Sequence, residues 1–283
     1  MREGPTPELN LLFEEARQYE ERKDHYNAVK LYKRIVRDAH SWAAPFACLG
    51  RIYKYRQEWK PALYYSKKAV SLDATDQASW WNVGIAATAL KKNRLARSVW
   101  AKFGFDDGRQ WPHVSIQRAY DKQFELMWVE RNGPAQGIIR NIPHPDSRRR
   151  YGDTVLFDNT IRGFHTSDYY RLPIYDDLGV LRHSIFRTFS CLLQSAGQKD
   201  IRALQRLCVQ EGLGFEVWAN ATRAFSSPQL GPFPEYYAFN PGPGQELLTA
   251  IAAPDEKQAL AVLESWKVIS LKEYTGFQYH PVS

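Results

Sequence analysis

The chain has few cysteines and no long apolar run. These features argue against a disulfide-rich, a zinc-binding and a membrane-spanning protein. Its three cysteines, Cys48, Cys191 and Cys208, have the spacing of neither a disulfide framework nor a zinc site. No segment approaches the roughly 20 consecutive apolar residues that a membrane-spanning helix needs. Residues 1–10 carry charges and prolines in place of the apolar core of a secretory signal. We therefore predict a soluble, cytoplasmic protein with buried thiols and without a membrane partner.

Sequence motifs of catalysis and of cofactor binding are also missing. The chain contains no glycine-rich phosphate loop, dinucleotide fingerprint or nucleophile elbow. No two of its seven histidines have metal-ligand spacing on a helix. His144 and Asp146, together with Asp153 or His165, could form an acid–base site across strands, but polar loop residues more often have no such role. We predict that the chain is not an enzyme, has no catalytic residues, and binds neither a cofactor nor a metal ion.

The charge balance is basic. Lysine and arginine contribute 38 residues against 31 aspartates and glutamates, which gives a net charge of +7 and a pI of about 9.2. A basic chain favours an acidic partner, and an acidic protein surface, nucleic acid and a lipid headgroup layer all fit this description. The 283 residues, 44% of them hydrophobic, suffice for about two domains with their own cores.

Small residues recur at intervals of 34 positions near the N-terminus. Each repeat has two such positions, and together they are Ala16, Gly50 and Gly84, and Ala28, Ala62 and Ala96. Small residues are required where the two helices of a pair cross closely, and a period of this length predicts a solenoid of helical hairpins. We place three hairpins at residues 9–42, 43–76 and 77 to about 105. Ser66 departs from the pattern, because the second repeat should carry an aromatic residue there.

The repeat pattern resembles that of the tetratricopeptide repeat family, over about the N-terminal third of the chain. The resemblance implies that the first helix of each hairpin lines a concave groove that binds a peptide or a helix. The register assigns to this partner-binding groove Phe13, Arg17, Glu20, Arg51, Lys54, Tyr55, Trp81 and Ile85. Arg17 and Arg51 occupy the same position in successive repeats, and arginines beside aromatic residues suit an acidic, partly apolar segment. The alternative is that these charges only keep the helices soluble.

The pattern changes after residue 105 to short strand-like segments joined by polar turns. One such turn is predicted at Asn132-Gly133, and the segment 106–180 is typical of a small barrel or a curled β-sheet. Arg148, Arg149 and Arg150 form the densest basic run of the chain. A run of this kind could bind a phosphate backbone, and the alternative is a solvated loop.

The last hundred or so residues alternate between strand and helix patterns in the order β-α-β-β-α-β. Helices are predicted at 198–211 and 254–266, and a strand at 267–272 follows the second helix. This order is that of a ferredoxin-like α+β domain. The predicted fold is therefore α+β and multidomain, with a helical-repeat domain at 1–105, a β-rich domain at 106–180 and a ferredoxin-like domain at 181–283.

Together these patterns favour a non-catalytic protein-binding scaffold or adaptor whose partner has an acidic or mixed surface. A narrower hypothesis is that the chain is an immunity or accessory protein that binds a bacterial toxin or effector. That hypothesis rests only on analogy with repeat proteins of similar architecture. The alternative function is nucleic-acid binding through the loop Arg148–Arg150, which would weaken steeply with added salt because it depends on phosphate contacts.

Overall fold

The structure, a computed structural model, describes residues 5–104, 113–120, 123–166, 171–218, 224–225 and 246–281. The chain divides into two compact units, Met1–Asp106 and Asp107–Ser283. Helices make up the first unit, and strands with two longer helices make up the second, so the predicted α+β class is confirmed. None of the helices in the described part of the chain is long and apolar enough to cross a membrane.

Six helices form three hairpins in the first unit. Their bounds are α1 Pro7–Glu21, α2 His25–Asp38, α3 Ala43–Tyr55, α4 Trp59–Leu72, α5 Gln77–Ala89 and α6 Asn93–Phe103. The turn inside each hairpin repeats its backbone geometry, with Lys23, Gln57 and Lys91 in the left-handed region at φ values of 61°, 58° and 56°. In each turn the following residue donates its N–H to a carbonyl of the preceding helix, at 2.8 to 2.9 Å. The 34-residue period of the sequence is therefore also a period of the backbone.

The glycines of the repeats lie where the two helices of a hairpin touch. Gly50 on α3 faces Ser66 on α4, and Gly84 on α5 faces Trp100 on α6. A methyl group added at Gly84 would overlap the six-membered ring of Trp100, and one added at Gly50 would overlap the hydroxyl of Ser66. Ser66 is fully buried, so the second hairpin keeps the close crossing with a smaller side chain than the aromatic residue of the repeat pattern.

A closed five-stranded barrel occupies part of the second unit. The barrel is part of a seven-stranded sheet, and β1, β2, β3, β4 and β6 form the barrel itself. The strands of the sheet are β1 His113–Tyr120, β2 Gln123–Gly133, β3 Gln136–Ile139, β4 Thr154–Phe157, β5 Gly163–Thr166, β6 Arg171–Arg182 and β9 Ala224–Phe225. β1 to β4 pair as antiparallel neighbours, and β6 closes the barrel by pairing antiparallel with β4 and parallel with β1. β5 and β9 extend the sheet beside β6 and β2. The predicted barrel-like sheet is confirmed, and its core contains Val114, Ile116, Met127, Val129, Ile139, Val155, Phe157 and Tyr175.

The turn predicted at Asn132-Gly133 is wrong by two residues. β2 continues to Gly133, and the turn lies at Pro134 and Ala135. The pairing of β2 with β3 shifts its register between Arg131 and Gly133, as a β-bulge does. The extra residue in the strand moves the turn along the chain.

The remaining strands form a four-stranded antiparallel sheet with two helices packed on one face. The elements are β7 Arg187–Gln194, α7 Gln198–Gln210, β8 Gly214–Val217, β10 Glu246–Ala253, α8 Glu256–Ser270 and β11 Tyr274–His280. The strand order in the sheet is β11-β7-β10-β8. Trp266 of α8 is fully buried, and its indole N–H donates to the carbonyl of Asp200 on α7 at 2.8 Å. One side chain thus joins the two helices above the sheet.

The strand predicted at 267–272 is wrong. α8 continues to Ser270, whose hydroxyl donates to the carbonyl of Trp266 at 2.7 Å, and the last strand begins only at Tyr274. Val268 and Ile269 have the branched side chains that favour strands, but the packing of Trp266 extends the helix past them. Both side chains are therefore exposed.

The three cysteines are buried as free thiols. Burial raises the pKa of Cys191 to about 11 and that of Cys208 to about 12. Both thiols are therefore protonated, and weak nucleophiles, at neutral pH. The prediction that the thiols are buried is confirmed.

We expect Gly84→Ala to destabilise the helical unit, because the added methyl group must displace the ring of Trp100. Overpacking of this kind costs about 1–3 kcal/mol, whereas alanine in a helix gains about 1 kcal/mol over glycine. Gly50→Ala should also lose stability, because the added methyl group would overlap the hydroxyl of Ser66 and lie only 3.1 and 3.3 Å from the backbone nitrogen and Cα of that residue on the facing helix. Denaturant unfolding followed by circular dichroism measures both changes. A Gly84→Ala protein as stable as the parent would contradict the close crossing.

Candidate functional site

An ion pair on the helical unit joins two of the predicted groove residues. Arg51 of α3 reaches Glu20 of α1, with Nε and Nη2 at 3.0 and 2.8 Å from the same carboxylate oxygen. The hydroxyl of Tyr32 donates to the other carboxylate oxygen at 3.2 Å. Glu20 is therefore fixed from two sides, and Arg51, whose side chain is 48% exposed, bridges the first and second hairpins while remaining open to solvent.

Arg17 lies one turn before Glu20 on the same helix. Its side chain is 51% exposed and forms ion pairs with Glu14 at 3.5 Å and Glu21 at 3.8 Å. Burial raises the pKa of the Cys48 thiol on α3, and the charges of Arg51 and Arg17 oppose that rise. Nη2 of Arg51 lies 3.8 Å from Sγ of Cys48, and Arg17 lies one helical turn from Glu20, the residue that Arg51 contacts.

Two aromatic residues accompany these arginines on α1 and α3. Phe13 is half-buried and packs against Trp42 and Tyr32, with ring centroids 4.8 and 5.5 Å away. Tyr55 is 39% exposed, and Nζ of Lys54 lies 4.3 Å from the centroid of its ring. We define the α1–α3 strip as the residues Phe13, Arg17, Glu20, Arg51 and Tyr55.

The other three predicted groove residues are buried. Trp81 and Ile85 lie on α5, where every residue from 81 to 87 is buried, and Trp81 packs against Trp100 with 5.0 Å between the ring centroids. Lys54 on α3 is also buried. A partner cannot touch these side chains in this conformation, so the accessible part of the predicted groove is the α1–α3 strip.

The structure divides the predicted nucleic-acid loop into three different environments. Arg148 is exposed and adopts the left-handed conformation at φ 55°. Arg149 is buried and contacts Asp177 through Nε at 2.8 Å and Nη2 at 2.7 Å. Arg150 is half-buried, and its backbone N–H donates to Asp153 at 3.0 Å. The three arginines therefore do not form one solvated basic run.

Two residues near this run, Asp177 and Arg118, were not identified from the sequence. Asp177 of β6 is fully buried and accepts hydrogen bonds from Arg149, from Nη1 of Arg118 at 3.3 Å and from the backbone N–H of Gly179 at 2.8 Å. Arg118 of β1 also donates to the carbonyl of Ser147. Positions 118 and 177 are 59 residues apart, so no local pattern signals their contact.

Buried carboxylates attach the irregular segment 140–153 to its surroundings. Glu125 of β2 and Glu216 of β8 each accept one backbone N–H of this segment, at 2.8 and 2.7 Å. Asp153, at its end, accepts from the backbone N–H of Ser184 at 2.8 Å. Burial raises the pKa of Asp153, and its backbone hydrogen bonds oppose that rise. The segment that carries the arginine run is thus held from several elements at once.

A further cluster lies where the C-terminal sheet meets this segment. Oγ of Ser190 on β7 and Nε2 of His280 on β11 are 2.7 Å apart. Trp218 lies between two imidazole rings, 5.5 Å from that of His280 and 5.8 Å from that of His144. Burial lowers the pKa of His280, and the charge of His144 lowers it further. Ser190 and His280 are separated by 90 residues, so sequence spacing did not point to this pair.

A serine hydrogen-bonded to a neutral histidine is one component of acyl-transfer sites, where a third group orients the histidine. Within the described residues, no carboxylate lies within ion-pair distance of His280. Among the residues that the structure describes, the cluster therefore consists of the Ser190–His280 hydrogen bond and the rings around Trp218, without a carboxylate that orients the imidazole of His280.

The acid–base residues considered from the sequence fall in separate places. Nδ1 of His144 is 3.3 Å from a carboxylate oxygen of Asp146, and both side chains are exposed. Asp153 is buried beside His183, whose Nδ1 lies 3.7 Å away. The side chain of His165 lies outside the described part of the structure. The residues that can be placed do not converge on one site.

Comparison with known proteins gives no family. No protein-family model matches the chain, and no curated protein matches it either.

We expect Asp177→Asn to destabilise the second unit strongly. The substitution leaves the buried guanidinium of Arg149 without its counter-charge, and breaking a buried pair in this way costs about 3–5 kcal/mol. Glu130→Gln is the control, because it breaks an exposed ion pair with Arg140 and should cost less than about 1 kcal/mol. Denaturant titration of both variants gives the comparison. Equally small losses would show that Asp177 is not an anchor.

We expect His280 to make the protein less stable at mildly acidic pH. Its pKa in the folded state lies below the ordinary value of about 6.5, so the unfolded chain binds the proton first. The stability that neutral His280 contributes is present above that ordinary value and is lost as the pH falls through the folded-state pKa. Unfolding free energies of the parent and of His280→Gln at about pH 7.5 and pH 5.5 test this. The parent should lose more stability than the variant, and parallel losses would contradict the assignment.

Proposed function

We propose that the chain is a non-catalytic protein-binding adaptor and that the α1–α3 strip contacts the partner. The observation that carries the proposal is the ion pair of Glu20 with Arg51, because it holds the exposed Arg51 near the exposed Arg17 across adjacent hairpins. A guanidinium that is already oriented loses less side-chain entropy when it binds a carboxylate. Open helical solenoids commonly use such surfaces for binding.

The partner that suits the α1–α3 strip is a protein segment with an acidic or mixed surface. Arg17 and Arg51 supply donors for carboxylates, and Phe13 and Tyr55 supply partly exposed aromatic surface. Glu14 and Glu21 pair with Arg17, and Glu20 pairs with Arg51, so the strip presents arginines accompanied by carboxylates and suits a partner that carries both signs of charge. Because the other predicted groove residues are buried, the proposed contact surface is limited to the first two hairpins.

We propose further that the helical unit is a tetratricopeptide-like solenoid and that the C-terminal sheet is ferredoxin-like. The recurrence of close crossings and of left-handed turn residues at the repeat interval supports the first proposal. The antiparallel order β11-β7-β10-β8, with two helices packed on one face, supports the second. The division into three domains at 105 and 180 and the cytoplasmic location stay predictions.

A narrower proposal is that the partner is a bacterial toxin or effector and that the chain is its immunity or accessory protein. This proposal is still supported only by analogy with proteins of similar architecture. A neighbouring gene that encodes a toxic protein would support it directly. The alternative function, nucleic-acid binding by the loop Arg148–Arg150, has less support than the sequence gave it, because Arg149 is engaged with Asp177.

Charge reversal at Arg17 tests the adaptor proposal with little risk to the fold, since its ion pairs stay within α1. The tagged full chain, Arg17→Glu and Arg37→Glu are each used to capture proteins from lysate of the source cells, once with and once without nuclease treatment. Arg37 on α2 is exposed and pairs with its neighbour Asp38, so it supplies the same change of charge on another helix. We expect one protein to be captured by the parent and by Arg37→Glu and to bind Arg17→Glu at least about tenfold more weakly.

Two results would count against the proposal. Equal capture of the same protein by all three chains would exclude the α1–α3 strip as its binding surface. Recovery of nucleic-acid-binding proteins alone, and only from lysate without nuclease, would favour the alternative function.

A further inference from the structure

Two arginines contact one buried carboxylate on the barrel, and a third, Arg148, directly follows Ser147, whose carbonyl accepts a hydrogen bond from Arg118. Asp177 contacts Arg149 at 2.7 and 2.8 Å and Arg118 at 3.3 Å, and Arg148 lies close enough for its charge to act on Arg118. Among the described residues, Asp177 is the one carboxylate within ion-pair distance of these guanidinium groups. We call Arg118, Arg148, Arg149 and Asp177 the arginine cluster. It carries three positive charges against one negative charge.

Arg118 has N–H groups that make no hydrogen bond to the described residues. Its Nε donates to the carbonyl of Ser147 and its Nη1 to Asp177, which leaves most of the five N–H groups of a guanidinium unused by the described residues. Its side chain is 24% exposed, so these donors can reach a ligand from solvent. Arg148 is exposed, and no carboxylate of the described residues pairs with it.

Among the described residues, Asp177 is the carboxylate that pairs with the arginines of the cluster, and the buried Glu125 lies opposite Arg118 on β2. Burial lowers the pKa of Arg118, and the charges of Arg149 and Arg148 lower it further against the opposing effect of Asp177. A guanidinium nevertheless keeps its charge at neutral pH. Because partial burial weakens screening by water, an anion placed between Arg118 and Arg148 gains more than it would at a solvated loop.

We propose that the arginine cluster binds a phosphate-type oxyanion through Arg118 and Arg148, with Arg149 and Asp177 holding the site in place. Phosphate groups offer several acceptor oxygens and one to two negative charges, which match the free donors and the excess of positive charge. The same group is present in a free phosphate ester and in the phosphodiester backbone of RNA. This site is independent of the proposed protein binding by the α1–α3 strip.

Titration of the full chain with inorganic phosphate, observed through the arginine Nε–Hε signals in NMR spectra, tests the proposal. We expect a saturable shift of the signals of Arg118 and Arg148. Arg148→Asn removes the charge and keeps a residue that tolerates the left-handed conformation, and Arg118→Gln removes the second contact. Each should weaken phosphate affinity by about tenfold, whereas Arg187→Gln, which removes an exposed arginine from β7, should leave it unchanged.

A labelled single-stranded RNA separates the two sources of phosphate. RNA that binds the parent, is displaced by phosphate and loses affinity in Arg148→Asn would identify a nucleic-acid phosphate, with binding that weakens as salt is added. Phosphate binding without RNA binding would identify a free phosphate ester. The proposal is overturned if neither ligand gives a saturable shift in the parent, or if Arg148→Asn binds as well as Arg187→Gln.

Discussion

Four buried carboxylates hold an irregular segment, residues 140–153, against the barrel and the C-terminal sheet. Glu125, Glu216 and Asp153 accept backbone N–H groups, and Asp177 accepts guanidinium groups. Burying a carboxylate is costly unless such donors replace water, and hydrogen bonds to ionised acceptors are among the strongest in proteins. The segment has one short helical turn and few backbone hydrogen bonds to neighbouring strands, so the positions of His144, Arg148 and Arg149, which lie on it, depend on these four side chains.

The two units use charge in different ways. In the helical unit, Glu20 and Arg51 form a partly exposed pair that orients a guanidinium without committing much free energy. In the second unit, Asp177 and Arg149 form a buried pair whose disruption is expensive. The first arrangement suits a surface that meets a partner, and the second suits a scaffold that fixes other groups. Arg118 stands between these cases, since it shares the buried carboxylate and still reaches solvent.

How much of the structure the sequence could predict depends on how far apart in the sequence the interacting residues lie. The helical hairpins were predictable because close crossings and turns recur along the chain, and the side chains that decide them are near in sequence. The 34-residue repeat predicted the helix on which Trp81 and Ile85 lie but not the burial of their side chains. A periodic pattern shows which residues share a helix face, but not whether other residues cover that face. The contacts of Arg149 with Asp177 and of Ser190 with His280 join residues that are far apart in the sequence. The sequence alone therefore could not distinguish Arg149 from its neighbouring arginines or single out His280 among the histidines. At Val268 the strand propensity was overridden by tertiary packing around Trp266.

The closure of the barrel by a parallel pair has a consequence for the order of folding during synthesis. β1 pairs with β6, although the two strands lie at opposite ends of the barrel sequence, whereas the helices of the first unit contact mainly helices adjacent in the chain. Local contacts form quickly, and pairings that close long loops form slowly. As the chain leaves the ribosome, the helical unit can fold by itself while β1 to β4 wait with unpaired edges for β6. The nascent barrel is therefore more exposed to aggregation, and more dependent on chaperones, than the nascent helical unit.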